Sequence, residues 1–242
     1  MRNKQILKRK LLIPLILVLI SALAFFIYTG NYYHEDEFAD QAMDSTKSVE
    51  VIETDYGYFF DGIGKDHALI FYPGGKVDEK AYAPLMHQLA QNGIDTFLIR
   101  MPFHLAVMDM YKADQIDEIG RYDHVYIGGH SLGGAVASIY AAKNNDLIDG
   151  LILIAAYPDT QLDEDMKVFS IYGSNDQILN REKYQESKKY ISGKLIEYVI
   201  NGGNHSQFGS YGFQKGDGEA SISMDEQIDQ TVDAISVFIL GE

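Results

Sequence analysis

The apolar and polar positions along this chain fall into successive regimes. Leu11 to Tyr28 carries no charge and is broken only by Pro14 and Ser21. At a rise of 1.5 Å per residue such a run spans roughly 27 Å as a helix, close to the ~30 Å hydrocarbon core of a bilayer. Asn31 to Ser48 is polar, acidic and without periodicity, and it reads as a stalk. From Val49 onward, short apolar runs alternate with segments of helical spacing. Val49 to Phe60 alternates and predicts one or two strands. His67–Tyr72, Ile94–Arg100, His124–Ile127, Leu151–Ala155 and Lys167–Tyr172 have the continuous apolar character of strands buried on both faces, and Lys194–Ile200 forms a further strand. Glu79–Asn92, about Leu105–Ile119, the small-residue stretch after Ser131 and Met224–Leu240 have helical spacing. Strand, helix, strand is the grammar of a parallel sheet with crossovers.

Charge and composition narrow the function classes. Arg2, Lys4, Lys8, Arg9 and Lys10 are the only charges in residues 1–30. Residues 1–10 therefore predict a cytoplasmic basic flank, residues 11–30 a transmembrane signal-anchor, and residues 49–242 a domain outside the cell membrane. A signal peptide cut after Ala22-Leu23-Ala24 is the rival, which would secrete the chain. Phe25 to Tyr28 continue the apolar run past that cut and favour the anchor. The formal net charge of −15 argues against a nucleic-acid partner. With no cysteine, thiolate zinc sites, disulfides and cysteine nucleophiles are excluded. No His, Asp and Glu grouping has metal-ligand spacing along the chain.

The candidate chemistry begins at Gly129-His130-Ser131-Leu132-Gly133, which lies between a predicted strand and a predicted helix. This Gly-x-Ser-x-Gly form is a nucleophile elbow: a strained turn projects the serine, and side chains two before or two after it would collide. A serine needs a base, and the base needs a carboxylate to orient it. Asp176 and His205 follow later strands on the same sheet edge and give the chain order Ser…Asp…His. Asp159, after the preceding strand, is the competing acid, and Asp163 is further into the same loop. The N–H of Leu132 opens the helix and suits an oxyanion hole. Pro73-Gly74-Gly75-Lys76 supplies the second donor, with Gly75 preferred and Lys76 as its rival. His130 reads as packing, and His34, His67, His87, His104 and His124 as structural or solvated. Only Ala156–Met166 separates two strands, too little for a helical lid, so an open site is expected.

Three stretches resemble the α/β-hydrolase superfamily, in particular compact bacterial hydrolases of the dienelactone-hydrolase-like or carboxylesterase-like kind. They are Phe71–Val77 with Ala81–Leu85, Gly128–Gly134, and Gly202–Gly209. The resemblance implies a doubly wound, mostly parallel sheet of about eight strands without a sizeable lid. It also implies a serine nucleophile with an acyl-enzyme intermediate, and it supports Ser131, Asp176, His205, Leu132 and Gly75. Many family esterases open the oxyanion loop with His-Gly, where this chain has Pro73-Gly74. The expected function is a membrane-anchored, extracytoplasmic serine hydrolase acting on a carboxylic ester of a small or medium acyl group. No cofactor or metal is expected, and the partners expected are a small-molecule ester and the membrane. An envelope acyltransferase or thioesterase with the same triad, and a non-catalytic binding protein on a hydrolase fold, are the alternatives.

Overall fold

The computed structural model describes residues 2–241, with side chains from residue 13 onward. The chain divides into two compact units, Met1–Tyr32 and Tyr33–Glu242. The first is one helix, α1 (Arg2–Gly30), which runs through Pro14. Its stretch Ile13–Gly30 is long and apolar enough to cross a membrane by length and composition. The side chains of the basic flank lie outside the described residues.

The second unit is built on one eight-stranded sheet. In chain order its strands are β1 (Glu50–Thr54), β2 (Gly57–Asp61), β3 (His67–Tyr72), β4 (Ile94–Ile99), β5 (His124–His130), β6 (Gly150–Ile154), β7 (Lys167–Gly173) and β8 (Leu195–Ile200). Their spatial order is β1-β2-β4-β3-β5-β6-β7-β8. The β1–β2 and β2–β4 pairs are antiparallel, and every later pair is parallel. Alternate residues of each central strand enter opposite core layers, as the two-residue period of a strand demands. On one face Leu69, Phe71 and Leu98 pack with α3 (Ala83–Gln91) and α6 (Met224–Leu240). On the other, Ile70, Tyr72, Phe97 and Ile127 pack with α4 (Leu132–Lys143). The limits of α6 are written in its sequence: the Ser223 side chain accepts from Glu226 N–H, and Gly241 closes the helix with a left-handed φ of 74°.

Residues 33–48 depart from the expected stalk. Tyr33 forms a parallel bridge with Val77, and α2 (Glu37–Ala42) buries Ala39 completely. Asp36 caps α2 through Phe38 and Ala39 N–H, both at 3.1 Å. The docking uses backbone bonds, a side-chain bond from the Ser210 hydroxyl to Asp36, and one helix turn and a half, too short for a periodic signal, so its polarity was the only thing visible.

The helix expected over 105–119 is also absent. In its place stand short 3₁₀ turns at Ala106–Met108, Lys112–Gln115 and Ile119–Arg121. The Tyr72 hydroxyl donates to Met110 O at 2.9 Å, and Asp114 N–H turns back to Tyr111 O rather than to Met110. A core tyrosine thus takes the carbonyl that an α-helix would have used. Besides α2, α5 (Arg181–Ser187) had no sequence expectation; it is capped by the Asn180 side chain on Lys183 N–H.

Candidate active site

Ser131 stands at the end of β5 and opens α4, with φ 53° and ψ −120°. Such a conformation is costly for a side-chain-bearing residue and persists only where the surroundings enforce it. Here the enforcement comes from both sides. Ser131 N–H donates to Ile154 O at 2.9 Å, extending the β5–β6 ladder, while Ser131 O accepts from Ala135 N–H at 3.2 Å. A Cβ on Gly129 would lie 2.6 Å from the Gly133 carbonyl carbon, and one on Gly133 would lie 2.2 Å from Tyr72 O. Both elbow glycines are therefore required by backbone contact.

Asp176 and His205 meet beneath the surface. His205 Nδ1 and Asp176 Oδ2 are 2.9 Å apart, and both side chains are essentially inaccessible. The other Asp176 oxygen accepts from Ile178 and Leu179 N–H, each at 2.8 Å, which fixes the carboxylate in its own turn. With Nδ1 engaged, Nε2 is the remaining nitrogen of His205; it is buried and without a hydrogen-bond partner among the described residues. Ser131, Leu132 and His205 line one cavity of about 570 Å³. No hydrogen bond joins Ser131 to His205 in this structure, a looseness common in sites without substrate. Asp159, the competing acid, is exposed on the rim of that cavity, and Asp163 instead accepts from Asn145 at 3.1 Å.

Gly75 packs against the side chain of Leu132, the residue of the other expected oxyanion donor. A Cβ on Gly75 would come within 2.9 Å of Leu132 Cδ2. Among the described residues neither Gly75 N–H nor Leu132 N–H has an acceptor, whereas its neighbours are committed: Gly74 N–H donates to the Tyr82 hydroxyl at 3.1 Å and Lys76 N–H to His104 O at 2.7 Å. Of the two rivals, Gly75 is thus the one whose N–H is uncommitted. Leu132 N–H also sits at the positive end of the α4 dipole.

His130 packs, as its place in the elbow suggested, but against the site itself. Its ring centroid is 4.4 Å from that of His205, and its Nδ1 is 2.8 Å from the Tyr82 hydroxyl. Burial, followed by the charge of neighbouring His205, holds the His130 pKa well below its ordinary value. The cavity's far wall is α5 and the turn after it (Lys183, Ser187, Tyr190), elements the sequence reading left unassigned. The connection between β6 and β7 contains no helix.

One grouping has metal-ligand proximity that linear spacing could not reveal. Asp78, Glu79 and His104 each bring a ligand atom within 4.8 Å of the others. They line a separate hollow with Lys80, Lys112 and Arg100, and Arg100 Nε already lies 2.7 Å from Glu79 Oε1. Glu79 is thus already paired with a cation of the chain itself.

Comparison with known proteins bears on the whole arrangement. The model of the alpha/beta hydrolase family matches residues 68–229, most of the second unit. The chain belongs to the alpha/beta hydrolase family. Among solved structures, this hydrolase resembles Est1E from Butyrivibrio proteoclasticus at 15% identity and a TM-score of 0.55, covering 81% of this chain and 98% of that one. A predicted CIB-like hydrolase from Thermoplasma acidophilum matches at 14% identity and TM-score 0.53, with 78% and 99% covered. A dienelactone hydrolase from Anabaena variabilis ATCC 29413 matches at 11% and 0.55, with 81% and 99% covered. At these identities the likeness is one of fold. A search of curated proteins gives no match.

Proposed function

We propose that this hydrolase cleaves carboxylic esters of small or medium acyl groups through a serine acyl-enzyme, and that α1 anchors it with the catalytic unit outside the cell membrane. The observation that carries the reading is the buried His205–Asp176 hydrogen bond at 2.9 Å, which leaves Nε2 as the basic nitrogen beside a cavity that Ser131 also lines. In this reading Ser131 Oγ attacks the ester carbonyl carbon while its proton passes to His205 Nε2. Asp176 keeps the other ring proton at Nδ1 and stabilises the imidazolium. Gly75 and Leu132 N–H receive the oxyanion. Collapse expels the alcohol, which takes the proton from His205, and water repeats the sequence on the acyl-enzyme. The absence of a helical segment between β6 and β7 supports access for soluble esters without interfacial activation. The apolar length of α1 and the basic residues before it support the anchor and its orientation.

The test is labelling of the full chain in detergent by a fluorophosphonate, beside Ser131→Ala and Asp176→Asn. Labelling that Ser131→Ala abolishes, and that Asp176→Asn slows by about 10³-fold or more, is expected. A folded wild type that does not label would overturn the reading in favour of a binding protein. The mass of the N-terminus tests the anchor: a mature chain beginning at Phe25 would mean a cleaved signal.

A further inference from the structure

The loop between the turn Ser206–Phe208 and α6 runs from Gly209 to Ser223 without regular structure. Irregular loops of this length are uncommon inside compact domains and tend to carry function. Its centre, Asp217-Gly218-Glu219, reaches the residues on either side of both Asp176 and His205. Before the acid, Asn175 Nδ2 donates to Glu219 O at 2.9 Å; before the base, Asn204 Nδ2 donates to Gly218 O at 2.8 Å. After the acid, Gln177 N–H donates to Asp217 Oδ1 at 3.3 Å; after the base, Ser206 N–H and Ser206 Oγ donate to Asp217 Oδ2 at 2.8 and 2.9 Å. Gly218 N–H adds a fourth donor to the same carboxylate at 2.8 Å. The approach is close enough that a Cβ on Gly218 would lie 1.9 Å from Asn175 O.

The chemistry of Asp217 sets it apart from an ordinary loop tie. Asp217 is 8% exposed as a residue, and among the described residues no cation lies within ion-pair distance of its carboxylate. Burying a carboxylate without a counter-charge is expensive, and only its donors repay the cost. Three of those four donors belong to Gln177 and Ser206, the immediate successors of the two paired residues. An amide at this position would turn an N–H₂ toward donors and lose about half the bonds.

We propose that Asp217 is a positioning residue of the triad, a single carboxylate that holds the backbones of Asp176 and His205 at the separation their hydrogen bond requires. It touches neither substrate nor reacting atoms. It acts by keeping the imidazole in place, where an error near 1 Å costs about 100-fold in rate. This inference rests on the serine-hydrolase reading above.

The experiment uses the full chain in detergent with p-nitrophenyl butyrate, and active sites titrated by fluorophosphonate, for wild type, Asp217→Asn, Asp217→Ala and Ser131→Ala. With Asp217→Ala, kcat per titrated site is expected to fall by about 10- to 100-fold with KM within about twofold, the size typical of losing an orienting outer partner. Asp217→Asn should fall between it and wild type. The downfield proton resonance of His205 Nδ1–H, sharp in wild type, should broaden in both variants. If Asp217→Ala does not fold, Asp217→Asn alone decides. A kcat per titrated site equal to wild type in Asp217→Asn, with an unchanged proton resonance, overturns the proposal and makes Asp217 structural only. Failure of the underlying reading looks different: wild type would neither turn over ester nor label, or Ser131→Ala would match it.

Discussion

Tyr33 N–H donates to the carbonyl of Lys76 at 2.8 Å, and Asp78 N–H returns the bond to Tyr33 O at 2.9 Å. The segment that follows the apolar helix is thereby stitched to the loop that presents Gly75. Three residues on, Asp36 receives the Ser210 hydroxyl while capping α2, and its N–H donates to Ser210 O at 3.0 Å. Asp36→Ala removes the cap and the Ser210 bond together and is expected to cost about 1–2 kcal/mol. For a domain of this size that lowers Tm by roughly 3–6 °C. Asp44→Ala, an exposed neighbour, should stay within about 0.5 kcal/mol. Thermal unfolding of the two variants checks this, and equal midpoints would mean that the segment is a stalk after all.

Gly75 and Gly133 offer a second contrast, because different things occupy the space beside them. A Cβ at Gly75 meets the tip of the Leu132 side chain at 2.9 Å, and that tip can swing. A Cβ at Gly133 meets Tyr72 O at 2.2 Å and Pro73 O at 2.3 Å, backbone that cannot. Gly75→Ala is therefore expected to fold with Tm within a few degrees of wild type, while kcat falls about 10- to 100-fold through displacement of one oxyanion donor. Gly133→Ala should fail to give soluble protein. Kinetics and yield from parallel expression decide, and a Gly75→Ala enzyme with full kcat would remove that N–H from the proposed oxyanion hole.

The sheet was legible because buried strands are written as continuous apolar runs, and each of the expected central strands is present within a residue or two, except that β5 runs three residues further, to His130. Ser131, Asp176 and His205 were legible for a related reason: an elbow and two strand ends are local features, and the sheet brings their ends to one edge. What escaped was held by long-range bonds. The Tyr72 hydroxyl that breaks up residues 105–119 comes from a strand about forty positions earlier, and no periodicity can announce it. The docking of Tyr33 uses backbone groups, which every residue has, together with a ring contact to Tyr211 far along the chain. Asp217 reads as one more acidic residue of a polar loop until its donors are seen to come from Gln177 and Ser206.

Behind the site, Tyr82 joins the Gly74–Gly75 loop to His130. Its hydroxyl accepts from Gly74 N–H at 3.1 Å, so its own proton is free for His130 Nδ1 at 2.8 Å. This assigns the His130 proton to Nε2. Tyr82→Phe would leave a buried N–H and a buried ring nitrogen without partners, at an expected cost of about 2–4 kcal/mol. The Gly74 backbone is also released next to Gly75, so kcat should fall along with stability. Calorimetry and steady-state kinetics of Tyr82→Phe test both. A variant as stable as wild type would show that the tyrosine fills space and little else.

The buried His130 also gives the stability a pH dependence of definite sign. In the unfolded chain its imidazole titrates near its ordinary value of about 6.5, while the folded protein holds the pKa well below that, through burial first and His205 second. Above about 6.5 both states carry a neutral ring and the group contributes no slope. Below it the unfolded chain binds a proton that the folded protein refuses, so stability falls with falling pH by up to about 1.4 kcal/mol per unit for each such group. His87 and His67, whose pKa values burial also lowers, add in the same direction. Asp78 and Asp95, raised by burial, oppose the trend only as pH falls toward the carboxylate range near 4. Denaturant unfolding of wild type and His130→Asn between pH 7.5 and 5.5 checks the assignment. Wild-type stability should decline below about pH 6.5, and the variant's decline should be shallower by up to one proton's worth. Coincident slopes would place the titration elsewhere and leave His130 protonated in the folded state as readily as in the unfolded one.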